Sequence, residues 1–314
     1  MVQALNRNEL PQSLILLGEE HTGKVQLALS ISRRLLCSQP RDSLNCGQCH
    51  ACELSASGSH GDFLWVEPEG TSRAIKIDQI RQLVQFASRT AGFGTRKVIV
   101  LAPADRMNRN AYNSLLKSLE EPAKDTFLLL VCHRMTGVPP TIRSRCQILR
   151  LATPDRETSL AWLEQTTGSR NESAVLLDLA DGLPLLAMQI HASGRAEEYA
   201  RDRLAMQQLL QGSLSVLEAS TRWSEVELHT FLDSIVSDLQ RILRTLPPEQ
   251  LRLPQGRAVF GFLDELVRLQ RAVRAGANPN RQLLVDSVVS RLSRILGTGP
   301  LGDKIRPLTG GPGL

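Results

Sequence analysis

Apolar positions recur in two different rhythms along this 314-residue chain, and the change falls near residue 155. Before it, short β-branched or leucine-rich runs alternate with segments of helical spacing. "SLILL" (13–17) ends at Gly18, and "VQLALSISRRLLC" follows with apolar residues three and four apart. The pattern predicts a strand, a loop and a helix. "DFLWVEP" (62–68) reads as a second strand, with Asp78 as N-cap of the helix after it; "RKVIVLAP" is a third, and "TFLLLVCH" a fourth. Between the last two, "NAYNSLLKSLEEP" is a helix stopped by Pro122. Strands separated by helices imply a parallel sheet covered on both faces, so the first 150 residues read as a nucleotide-binding type of α/β domain.

Beyond "ILRLATPD" the strand signal disappears. Residues 155–296 read as helices broken at "TTGSRNES", "DGLP", "HASGR", "RTLPPEQ" and "AGANPN". These breaks predict a small helical unit to about residue 195 and a larger bundle after it. The stretches "LHTFLDSIVSDLQRIL" and "RQLLVDSVVSRLSRIL" are amphipathic, and periodicity alone leaves open whether each stripe faces its own bundle or another chain. The final residues, 297–314, hold six Gly and three Pro and read as a flexible tail. No internal repeat is visible.

Composition changes this picture little. Hydrophobic residues make up 42% and charged residues 22%, which excludes wholesale disorder. No apolar run approaches the roughly 20 residues of a membrane span, and the N-terminus lacks a signal-peptide pattern, so the expectation is a cytoplasmic protein with no membrane partner. The net charge of +5 is unevenly spread: residues 241–306 carry twelve Arg or Lys against five Asp or Glu. That excess fits a solvated helical surface, or a phosphate-bearing partner.

Four of the six cysteines fall in one stretch, Cys37, Cys46, Cys49 and Cys52, a C-x8-C-x2-C-x2-C spacing. Two C-x2-C steps can turn thiolates toward one ion, and four sulfurs fill a tetrahedral zinc sphere. The expected site is structural zinc in a module spanning 37–52, since no coordination position is left for a substrate. Free thiols or a redox pair are the alternatives. His50 and His60 lie nearby as bystanders; Cys132 and Cys146 read as core residues.

"GEEHTGKV" (18–25) is one residue short of a phosphate-binding loop. The pattern needs Gly, four free positions, then Gly-Lys and a hydroxyl residue that holds Mg²⁺. Gly18, Gly23 and Lys24 are present, but the hydroxyl position is Val25.

The order of near-phosphate loop, cysteine cluster, "KVIVLAPADRMNRNAYNSLLKSLEEP" and "PPTIRSRCQIL" closely resembles the bacterial clamp-loader proteins of DNA polymerase III, members of the AAA+ class. "NSLLKSLEEP" (113–122) and "TIRSRC" (141–146) are the most specific parts, and the likeness is nearest to the branch with degraded phosphate loops. It implies an AAA+ type α/β domain with a zinc-binding insertion (1–151), a small helical lid (152–195) and an all-α collar (196–296) that joins subunits in a ring. By the same resemblance, the metal-binding Asp and water-activating Glu of hydrolysing members would fall at Ala102 and Pro103. A phosphate-sensing Thr would fall near Cys132 or His133, and a sensor Arg near Leu185. Asp105 is the one displaced carboxylate to consider.

What the resemblance retains is the Ser-Arg-Cys motif, here Ser144, Arg145 and Cys146. In the family this arginine enters a neighbour's ATP site as an arginine finger. The alternatives are an ion pair on its own surface, or a helix cap. The leading expectation is a non-hydrolysing clamp-loader subunit with structural zinc and little or no ATP affinity. Its implied partners are gamma/tau-type ATPase subunits and a delta subunit, with the sliding clamp and primer-template DNA met through the complex. An active clamp-loader ATPase is the second reading, and a zinc-dependent nucleic-acid-binding module the third.

Overall fold

The computed structural model describes residues 9–42, 44–70, 74–274 and 276–297. The described residues divide into two compact units, one drawn from residues 9–155 with 183–185, the other from 156–182 and 186–297. The proposed tail lies outside the described residues, apart from Gly297.

In the first unit, β1 (Ser13–Leu17), β2 (Phe63–Val66), β3 (Lys97–Leu101), β4 (Thr126–Cys132) and β5 (Gln147–Arg150) form one parallel sheet of order β2-β3-β4-β1-β5. The central strands are apolar on both faces because helices cover both. On one face Ile15, Ile99, Leu101, Leu128 and Leu130 pack with α3 (Ile77–Ser88) and α4 (Arg109–Glu120). On the other, Leu14, Leu16, Val98, Val100 and Leu129 pack with α1 (Lys24–Leu36). A short helix α2 (His50–Ala56) lies between α1 and β2, and α5 (Pro140–Arg143) precedes β5.

Asp78 is not an N-cap. The cap is Lys76, whose N–H donates to Gln79 Oε1 at 3.0 Å, while Asp78 lies in the first turn and pairs with Arg81 at 3.0 Å. The start of this helix is fixed from outside: buried Ile75 bridges to Met107 and donates its N–H to the Arg106 carbonyl, so the chain is extended up to residue 76.

Among the described residues the second unit holds helices and no strand. The three helices α6 (Arg156–Thr167), α7 (Arg170–Leu179) and α8 (Pro184–Ser193) share a core of Leu160, Leu163, Leu176, Leu177 and Ile190. A separate, larger core joins α9 (Ala196–Gln211), α10 (Val216–Trp223), α11 (Leu228–Thr245), α13 (Pro254–Arg274) and α14 (Arg281–Leu296); the one-turn α12 (Pro248–Leu251) packs its Leu251 against it. Both amphipathic stripes face this bundle: Phe231, Leu232, Ile235, Val236 and Leu239 on α11, and Val285, Val288, Val289 and Leu292 on α14, are all buried there. No single helix among the described residues is long and apolar enough to cross a membrane.

Candidate functional site

In a parallel sheet the loops that follow the strands gather at the carboxyl ends, the usual place for a ligand. The "GEEHTGKV" loop lies there, between β1 and α1. Gly18 is demanded by close approach, since a Cβ would come within 2.6 Å of the Leu151 carbonyl oxygen. Gly23 caps α1 with φ near +87°, and His21 also takes a left-handed φ of 62°. The loop thus turns from β1 into α1 through one tightly packed glycine and two left-handed residues.

Its lysine is turned inward. Lys24 is buried, and its ammonium donates to the Glu19 carbonyl and, at 3.4 Å, to Thr22 Oγ1; Thr22 Oγ1 itself donates to the Glu19 carbonyl at 2.7 Å. Burial holds the ammonium below the usual lysine range, against the pull of Glu20 and Asp105. Val25 adds its side chain to the apolar cluster under α1 instead of offering oxygen to a metal. Leu185, of the same unit, lies 4.0 Å from where a Cβ on Gly23 would be.

At the end of β3, Ala102 and Pro103 stand where the resemblance places the metal-binding and water-activating carboxylates. The displaced candidate, Asp105, accepts the His133 N–H at 2.9 Å through Oδ1, tying the turn after β3 to the end of β4. Beside it, His133 Nε2 lies 3.8 Å from a carboxylate oxygen of Glu20. Burial lowers the His133 pKa. Burial alone would raise that of Glu20, but His133, His21, Arg106 and Lys24 together hold it below the ordinary value. This Glu20–His133 neighbourhood was not legible in the sequence, where the two residues are over a hundred positions apart. Cys132 is fully buried, and burial pushes the partly buried Cys146 thiol up to about 11, as expected of core cysteines.

The Ser144-Arg145-Cys146 motif follows α5. Arg145 is about one-third exposed and folds back on its own unit: Nε and Nη2 donate to Glu120 Oε1 at 2.9 and 2.5 Å. Its Nη1 donates to the Thr141 carbonyl at 2.9 Å and to Ser144 Oγ at 3.2 Å. The surface ion pair anticipated as an alternative therefore exists in the isolated chain.

Away from this end of the sheet, the structure brings the four expected cysteines together. The Sγ atoms of Cys37, Cys46, Cys49 and Cys52 all lie within 4.8 Å of one another. Two of the edges, Cys37–Cys49 and Cys46–Cys52, measure 3.8 and 3.9 Å. A regular tetrahedron with that edge has a centre-to-sulfur distance of about 2.3 to 2.4 Å, against about 2.3 Å for Zn–S bonds. The residues fit a metal ion of this kind. The backbone prepares them, with Cys46 N–H donating to Cys37 Sγ and Cys49 N–H to Cys46 Sγ. Hydrogen bonds, first that from Ser38, hold the Cys49 thiol down at about 5, while burial pushes Cys37 up to about 12. Neither histidine belongs to the cluster: His50 is exposed near Glu53, and His60 accepts the Asp62 N–H at 3.1 Å and packs against Phe93.

One fixed loop had no signal in the sequence. The buried Asp62 carboxylate accepts three successive peptide N–H groups, from Gly92 at 2.7 Å, Phe93 at 2.8 Å and Gly94 at 3.1 Å. Phe93 is thereby held in place while 61% exposed.

The family model described as DNA polymerase III, delta subunit, matches residues 1–155. The chain is 35% identical to DNA polymerase III subunit delta′ of Pseudomonas aeruginosa over 311 residues, covering 93% of this chain and 95% of that protein. It is 32% identical to the Escherichia coli subunit delta′ over 169 residues, covering 54% of this chain and 51% of that one. Among solved structures, a DNA polymerase III gamma subunit-related protein of Thermotoga maritima aligns over 93% of this chain and 98% of its own, with 21% identity and a TM-score of 0.45. An identity of 35% sustained along nearly the whole of both sequences makes this chain a member of the delta-prime subunit family of DNA polymerase III.

Proposed function

We propose that this chain is a non-hydrolysing member of a clamp-loader ring, which keeps the fold of an ATPase and lends Arg145 to the ATP site of a neighbouring subunit. The observation that carries this reading is the chemistry around the phosphate loop. Val25, Ala102 and Pro103 offer no metal ligand and no general base, and Asp105 Oδ1 already accepts the His133 N–H. Lys24 is satisfied by its own loop, so recruiting it to phosphate would forfeit buried hydrogen bonds. ATP hydrolysis by this subunit, and strong binding of ATP to it, are therefore not part of the proposal.

Arg145 supplies what remains. A guanidinium is planar and permanently charged, and in GTPases such a finger is worth about 10³ to 10⁵ in rate when it neutralises charge on the transferred phosphoryl group. Gamma/tau-type ATPase subunits and a delta subunit are the proposed ring neighbours, with the sliding clamp and primer-template DNA reached through the assembled complex in the cytoplasm. The helices of 152–195 and 196–296 act as lid and collar in this scheme, which their two separate apolar cores support. Cys37, Cys46, Cys49 and Cys52 hold zinc, whose contribution is structural: four charge-compensated thiolate bonds fix the insertion between α1 and β2.

The test is the DNA- and clamp-stimulated ATPase rate of a reconstituted complex with native chain or Arg145→Ala. A fall of at least tenfold with assembly intact supports the reading. An unchanged rate overturns the finger and leaves a bracing subunit. ATP turnover by the purified chain alone would restore the active-ATPase alternative.

A further inference from the structure

The ion pair between Arg145 and Glu120 has a role in the proposed mechanism that neither motif discloses by itself. Glu120 is the last residue of α4, and Arg145 lies 25 positions later, so only the fold joins them. A carboxylate at a helix C-terminus faces the negative end of the helix dipole and is locally unfavourable. Here it is answered by the guanidinium, which meets one Glu120 oxygen through both Nε and Nη2.

Every nitrogen of that guanidinium donates within its own chain, since Nη1 is held by the Thr141 carbonyl and Ser144 Oγ. An arginine so engaged cannot present a two-pronged edge to a phosphoryl group until one set of bonds is given up. The Glu120 bonds are the exchangeable set. A carboxylate and a phosphoryl oxygen accept from guanidinium in the same charge-assisted geometry, and both members of the pair are solvent-accessible, with side chains 34% and 48% exposed. The Thr141 carbonyl and Ser144 hydroxyl, by contrast, belong to the turn that carries Arg145 and move with it.

We propose that Glu120 is a parking site for Arg145, an internal anion that holds the finger against its own subunit until the γ-phosphate in the neighbouring site replaces it. The inference rests on the arginine-finger reading above. Glu120 is a positioning residue: it touches no substrate and acts through the population of retracted arginine. An exposed pair in which two guanidinium nitrogens meet one carboxylate biases the equilibrium by roughly two- to fivefold. The cost falls on engagement of the neighbour's nucleotide rather than on the chemical step that follows.

The experiment is an ATP titration of the DNA- and clamp-stimulated ATPase of the reconstituted complex, with native chain, Glu120→Gln, Glu120→Asp and Arg145→Ala. Glu120→Gln should lower the half-saturating ATP concentration about two- to fivefold without lowering the maximal rate, and Glu120→Asp should stay close to native. A half-saturating concentration that is unchanged or raised in Glu120→Gln, or a reduced maximal rate, overturns the parking role. If Arg145→Ala leaves the rate unchanged, the finger reading fails and parking fails with it. If Arg145→Ala is defective while Glu120→Gln matches native, parking alone fails. A second readout uses the full chain by itself: Arg145 Nε–H should exchange with water faster in Glu120→Gln than in native protein by nitrogen-15 NMR, and equal rates also overturn the proposal.

Discussion

Replacing Asp62 by Asn should destabilise the sheet unit. The native carboxylate accepts the Gly92 N–H at Oδ1 and those of Phe93 and Gly94 at Oδ2. Asn keeps the volume but only one acceptor oxygen, and its –NH₂ must face at least one peptide N–H. Bonds to a charged acceptor contribute about 1.5 to 3 kcal/mol each, an upper sum of about 4.5 to 9 kcal/mol. The three loop residues are exposed, so water restores part of what the carboxylate gave, and the expected loss is about 2 to 4 kcal/mol. Lys97 adds to it, because it is buried and the Asp62 charge opposes the burial that depresses its pKa. For a unit of this size such a loss lowers the melting temperature by about 4 to 16 °C. Urea unfolding of the full chain, with hydrogen exchange followed at Gly92 to Gly94 and along β3, separates this unit from the helical one. A loss under about 1 kcal/mol, or unchanged exchange at the three loop amides, would refute the reasoning.

Chelation under reducing conditions should release one zinc per chain and make the thiols of Cys37, Cys46, Cys49 and Cys52 react quickly with a thiol reagent, while buried Cys132 stays slow. The sheet should survive, because neither of its apolar clusters draws on residues 38–62; collapse of the strand signal on chelation would contradict this. Calorimetric titration of the isolated chain with Mg-ATP should give no binding at micromolar concentrations, and micromolar affinity would sink the inward-turned reading of Lys24. Acidification should destabilise the fold below about pH 6.5, since burial lowers the pKa of His21, His60 and His133. Between the lowered folded values and the unfolded one, the unfolded chain binds more protons, so stability present at pH 7 is lost as pH falls. A urea midpoint that does not move between pH 7 and pH 5.5 would be the contrary result.

The sequence by itself determined whatever depends on neighbours along the chain. β-branched runs set between helical periods specified a parallel α/β unit, and their loss after residue 155 specified the helical remainder. The closely spaced Cys46, Cys49 and Cys52, with Cys37 at the end of α1, carried enough local geometry to announce a four-sulfur cluster. Val25 was legible as a departure from the phosphate-loop pattern, whose spacing is fixed within the loop, whereas Ala102 and Pro103 were marked only through the resemblance. Tertiary structure decided which donor each carboxylate serves. Asp62 reaches the 92–94 loop 30 to 32 positions away, Asp105 reaches His133 across 28, and Glu120 reaches Arg145 across 25. It also moved the start of α3 from the local signal at Asp78 to Lys76, through the Ile75–Met107 bridge. The physical reason is common to the three carboxylates. A helix or strand is specified by its own periodicity, but a polar side chain settles on whichever donor or acceptor the packed chain brings within about 3 Å, and that proximity exists only once the sheet has formed.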